Sequence, residues 1–161
     1  MDDDDIPWAD PAIRTAYEAA LGRFILTFNE VDYRLSQIIR AALTISGQTA
    51  LAESASKGPF AQRLETLGIL IAYSNDIDGI KAVPVAKLRS LNTDRNNLAH
   101  GHFDQNPYDG SYKLVLSAKR RDYPIGRLAS LADELTAIAA SMLAVEVLYG
   151  FSYLTQEDPA G

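Results

Sequence analysis

One uninterrupted apolar stripe limits what this chain can fold into. Tyr17, Leu21, Phe24, Phe28, Val31, Leu35, Ile38 and Ala42 follow one another at intervals of four or three, the repeat that lines up side chains on one face of a helix. Glu18, Arg23, Asn29, Glu30, Asp32, Arg34, Gln37 and Arg40 fill the gaps. Asp10-Pro11 supplies a start, an acidic N-cap followed by proline at the first helical position, and Ser46-Gly47 marks the end. At ~1.5 Å per residue such a helix would be roughly 50 Å long, with Gly22 as the place where it could bend. A stripe of that length must be covered. A coiled-coil partner would do so, but the chain's other helices carry matching stripes, so an intramolecular bundle is the more economical solution. The best match is Leu128, Leu131, Leu135, Ile138, Met142, Val145 and Tyr149, widened by Ala139, Leu143 and Leu148. The two stripes are expected to bury one another as a near-antiparallel pair.

Between them the pattern changes several times. Residues 47–59 read as a loop with a short helical turn around Ala50 to Ser54. Phe60, Leu64, Leu67 and Ile71 mark a second helix, and Tyr73 to Gly79 turns the chain. Asp76-Ile77-Asp78-Gly79 resembles the opening of a calcium loop but lacks the third ligand and the closing glutamate, so it reads as turn residues and a helix cap. A third main helix begins near Val83-Pro84 and runs to His100, where Gly101 takes the C-terminal cap position that glycine favours. Asp109-Gly110 then lies between two extended runs, and Tyr112, Leu114 and Leu116 alternate as a strand does. Pro107 restricts the first of these strands to an edge. The expected fold is all-α, a bundle of four to five helices with a small β-hairpin after the third main helix. The helical domain spans residues 10–155, between a disordered acidic arm (1–9) and a frayed tail (156–161).

Composition excludes several functions. No cysteine is present among the 161 residues, which removes disulfides and thiolate metal sites. The run Asp2 to Asp5 is the opposite of a basic signal-peptide start. The most apolar stretch, Ala137 to Phe151, is interrupted by Ser141 and Glu146, so no membrane span is expected and the protein is read as cytoplasmic. A net charge of −6 argues against broad nucleic-acid binding, which rides on basic surfaces, but leaves room for a small local cationic site. The chain has no glycine-rich phosphate loop, nucleophile elbow or His-Glu-x-x-His pattern, so neither cofactor nor metal is expected.

The site-like residues cluster at the end of the third main helix. Leu88, Leu91, Arg95 and Leu98 are spaced three, four and three apart, which places Arg95 in the apolar stripe, where a guanidinium needs a partner or a role. Asn92, Asn96 and His100 form an adjoining stripe at intervals of four. Arg95 and His100 are roughly 140° apart around the helix, at ~100° per residue. A charged Arg, a titratable His and neighbouring amides suit an anionic substrate, with His as proton carrier and Arg as a two-pronged phosphate ligand. By spacing alone, an interhelical ion pair for Arg95 and a capping role for His100 explain the residues as economically. His102 would extend the site or face solvent from the hairpin edge. Lys119-Arg120-Arg121, the one basic cluster, would guide RNA or form a solvated loop.

Arg95-Asn96-Asn97-Leu98-Ala99-His100-Gly101 resembles the Arg-x4–6-His motif of the HEPN superfamily, including the polar residue that follows the Arg. The layout from Pro11 to Phe151 is also similar, with a long first helix, the motif at the end of a later one, a short hairpin and a closing apolar helix. The resemblance implies a helical bundle that forms a homodimer, and metal-independent endoribonuclease activity as a toxin–antitoxin or defence component, with an antitoxin protein as a further partner. It implies catalytic roles for Arg95 and His100 of both protomers, with Asn96 as a polar helper. Asn92, His102, Lys119, Arg120 and Arg121 would then contact substrate RNA. Other HEPN proteins are non-catalytic dimeric modules that bind a protein, a nucleotide or RNA, and this chain is expected to be one or the other.

Overall fold

The computed structural model describes residues 8–73, 78–116 and 119–156. Helix α1 spans Pro11–Ile45, α2 Thr49–Ala55, α3 Phe60–Tyr73, α4 Val85–His100 and α5 Ile125–Gln156, with a 3-10 turn at Asp78–Ala82 before α4. Strands β1 (His102–Gln105), β2 (Tyr112–Leu116) and β3 (Lys119–Arg121) lie between α4 and α5. The all-α architecture is as expected, and the small sheet follows α4. The expected acidic arm is outside the described residues up to position 7, the tail from position 157, and most of the Asp76–Gly79 turn likewise. Ala9 is already engaged, its N–H donating to the Pro107 carbonyl at 2.8 Å.

Local signals set the limits of α1. The Asp10 side chain accepts from the Ala12 N–H at 2.8 Å, satisfying one of the orphan donors of the first turn. At the other end Gly47 takes a positive φ of 75°, and the Gln48 N–H closes back on the Leu43 carbonyl at 2.8 Å, the glycine-terminated helix stop. Gly22 lies inside the helix without ending it.

The core is the seam between α1 and α5. Phe24, Phe28, Val31, Leu35, Ile38 and Ala42 of α1 are buried, as are Leu128, Ala132, Leu135, Ala139, Met142 and Val145 of α5. Each Val, Leu, Ile, Phe or Met among them contributes roughly 1.5–3 kcal/mol of transfer free energy. Leu143 and Leu148 do not widen the stripe as expected; both are exposed. The pairing is parallel, not antiparallel. Tyr17 donates to the Tyr123 carbonyl, Arg23 pairs with Asp133 and Arg34 with Glu146, so the two helices advance in step. Periodicity defines a face but carries no direction. The direction comes from α4, which runs back against α5, as Lys87–Glu134 and Asp94–Arg127 show. By length and composition α5 does reach what a membrane span needs, with a mean hydropathy of 1.5 over its most apolar stretch, against the expectation from Ser141 and Glu146. Here it is the partner of α1.

The hairpin expected after α4 is part of a three-stranded antiparallel sheet in the order β1-β2-β3. Lys119 to Arg121, expected to be a loop, form its third strand, with Arg120 opposite Val115 and Val115 opposite His102. The turn between β1 and β2 is wider than a two-residue Asp-Gly link: Asn106 pairs with Ser111 across it, and Gly110 has φ 71°. Pro107 lies in that turn, beyond the edge strand β1. The sheet docks on α1 through Tyr112, whose ring stacks on Tyr17 at 4.2 Å.

Candidate functional site

Helix α4 carries the site-like residues, and its burial differs from the expected stripe. Leu88, Leu91, Asp94 and Leu98 are buried, while Arg95 is half-buried. Side-chain length explains the exchange. Arg95 lays its stem against the core and lifts its guanidinium 5.8 Å above the Phe28 ring, as long cationic side chains do at the margin of an apolar face. Asp94 is too short to escape and is satisfied in place. It accepts from the Tyr123 hydroxyl at 2.6 Å and from Arg127 at 3.1 Å. Asn97 donates to the same Tyr123 hydroxyl at 3.2 Å, and Arg127 stacks over the Tyr123 ring at 4.3 Å. This network joins α4 to the start of α5 and fixes the last turns of α4. Tyr123 lies outside both apolar stripes and Arg127 beside one, so no spacing rule links either to Asp94.

Arg95 sits at a cavity of about 340 Å³ bounded by α1, α3 and α4. Its walls include Phe28, Asp32, Phe60, Arg63, Asn92 and Asn96. Two arginines therefore face one space. Arg63 is 7% exposed and uses four of its five donors: it donates to the Gly58 and Asp32 carbonyls at 3.0 Å each, to the Ser36 hydroxyl and to the Asp32 carboxylate. Arg95 donates only to the neighbouring Asn96 side chain, at 3.1 Å, and forms no ion pair among the described residues. Asp32, the carboxylate at this cavity, pairs with Arg63, and Glu30 pairs with Arg34. The guanidinium of Arg95 thus keeps donors for an incoming anion.

His100 is exposed in the last turn of α4 and does not line this cavity. The helix geometry separates it from Arg95 as the spacing predicts. Gly101 follows as the expected C-cap, at φ −80° and ψ 156°, an extended backbone and not a left-handed one. Glycine is needed there for space. A Cβ would collide with Leu114 Cδ1 and lie 2.8 Å from both Leu114 Cγ and the Asn97 carbonyl. This close approach of β2 ends α4 and turns β1 away directly after His100.

Of the residues predicted for the site, Arg95, Asn96 and Asn92 meet at the cavity. His102 is exposed on β1. Lys119, Arg120 and Arg121 are in β3, two strands from β1, and their side chains lie outside the described residues. Asp94 and Arg63 were missed, and only the contacts between helices reveal them. No family model, curated protein or solved structure matches this chain.

Proposed function

We propose that the protein is a metal-independent endoribonuclease of HEPN type, acting as a cytoplasmic homodimer under the control of a partner protein. The observation that carries this reading is the Arg95 guanidinium at a polar cavity, where it forms no ion pair among the described residues and the one carboxylate in the wall, Asp32, pairs with Arg63. The motif resemblance supplies the chemistry. His100 takes the proton from a ribose 2′-hydroxyl, and the 2′-oxygen forms a bond to the adjacent phosphorus. The bond from phosphorus to the 5′-oxygen breaks, and a second His100 returns a proton to that oxygen. Arg95 stabilises the extra negative charge on the phosphoryl oxygens in between. The products are a 2′,3′-cyclic phosphate and a 5′-hydroxyl. Because one chain's Arg95 and His100 open in different directions, the reaction requires the His100 of one copy to approach the Arg95 cavity of another.

Incubating RNA with the protein in EDTA tests this reading. Cleavage with a cyclic-phosphate end is expected, and His100→Ala should lose at least ~10²-fold while remaining folded, the contribution of one positioned acid–base group. Undiminished cleavage by His100→Ala, or a sedimenting monomer that cleaves at full rate, would refute it. The separation of His100 from the cavity favours one second reading, a non-catalytic module that binds anionic ligands through Arg95, Asn92 and Asn96. Retained RNA binding without cleavage identifies that case.

A further inference from the structure

The molecule has a second cavity, of about 330 Å³, lined by α1, β1 and β2, at the small end of the range for ligand pockets of ~300–1,000 Å³. It opens between the first turns of α1 and the inner face of the sheet. One wall is the stacked pair Tyr17 and Tyr112. A second is Phe103, which meets Tyr17 edge-on at 5.9 Å. Leu21 supplies an apolar side, and Gln105 and the Arg14–Glu18 pair form the polar rim. Tyr17 is fixed by its hydroxyl, which donates to the Tyr123 carbonyl at 3.0 Å, so the aromatic walls are rigid. Gln105, by contrast, has a half-buried side chain whose amide finds no partner among the described residues. Arg14 uses only Nε on Glu18, leaving the terminal nitrogens of its guanidinium.

We propose that this pocket holds one unstacked adenine base of an RNA strand. Aromatic walls and a single amide are what sequence-reading sites for single-stranded RNA use, because a splayed base offers both a π-face and a hydrogen-bonding edge. The Gln105 amide matches adenine in both directions, its oxygen accepting from the exocyclic N6 and its nitrogen donating to N7. Arg14 at the rim pairs with the phosphate of the same nucleotide. The placement also suits a strand at His100: Phe103 is three residues further along the backbone, at most ~11 Å from Cα to Cα. The pocket would thus select a base near the cleaved bond. This assignment rests on the nuclease reading for its substrate class, but nucleoside binding tests it independently.

The experiment is equilibrium dialysis of the His100→Ala protein against adenosine, uridine and ribose 5-phosphate. Adenosine should bind more tightly than uridine, and ribose 5-phosphate should not bind at this pocket. Gln105→Leu, which keeps the volume but removes two hydrogen bonds, should weaken adenosine about tenfold. Adenosine binding no better than that of uridine, or unchanged by Gln105→Leu, overturns the assignment. Nucleosides contain no scissile phosphate, so the two readings separate cleanly. RNA cleavage by the wild type without adenosine binding overturns the pocket alone. Adenosine binding by a wild type that never cuts RNA supports the pocket and overturns the nuclease.

Discussion

Arg63 and Arg95 face the same cavity from different helices, yet they are opposites. Arg63, on α3, is buried and has its donors assigned to Asp32, Ser36 and Gly58. Arg95, on α4, rests on an aromatic ring and bonds only its neighbour. One guanidinium builds the wall and the other is held ready at it. A charged residue near a core is therefore not informative by type; the number of its donors already used tells structure from function.

Arg63→Ala should have the largest effect on this contrast. It removes the buried partner of Asp32, whose own side chain is 36% exposed, and the loss of these charged hydrogen bonds costs ~1.5–3 kcal/mol, which a urea midpoint would register. An unshifted midpoint would show that the wall does not depend on Arg63.

Gly101→Ala attacks the other side, at the end of α4. The added methyl must displace Leu114 or the backbone, an overpacking that costs ~1–3 kcal/mol. It should also lower RNA cleavage by shifting His100, while leaving Arg63 and its partners intact. Comparison of thermal midpoints and cleavage rates for the two variants checks this separation.

Alkaline unfolding sharpens the comparison from outside the cavity. Burial pushes the Tyr17 and Tyr149 hydroxyls up to about 12. A proton held more tightly in the folded state gives stability that is complete below the ordinary tyrosine value of ~10 and is lost as pH rises through the folded value. Stability should decline between pH 10 and 12, and Tyr17→Phe should flatten the decline; a flat wild-type profile would contradict the burial of both hydroxyls.

The smallest change is expected from Arg95→Gln, within ~0.5 kcal/mol of wild type because no ion pair is lost. Its RNA cleavage should nevertheless fall sharply. A stability loss as large as that of Arg63→Ala would erase the distinction between the two residues.

The sequence revealed what is decided locally. Asp10-Pro11 and Gly47 mark α1, because capping and positive φ act within a few residues. The angular separation of Arg95 from His100 also follows from helix geometry, although Asp94, not Arg95, takes the buried place in the stripe. What depended on distant partners stayed hidden. Asp94 is buried only because Tyr123 and Arg127, 29 and 33 residues away, come to meet it. Lys119 to Arg121 have no alternation to suggest a strand, and β2 draws them into one. Gly101 takes the C-cap position expected of it, but what requires glycine there is the distant Leu114 side chain, which no local pattern reveals.

The parallel seam between α1 and α5 has a consequence for how the chain is made. Its polar ties connect residues 106 to 112 positions apart, so the first helix emerges from the ribosome long before its partner exists. Contacts of such separation close late and slow folding, and an uncovered apolar stripe is prone to aggregate in the interval. A nascent chain stopped before α5 should therefore bind chaperones, and the core should close only once the last helix has been synthesised.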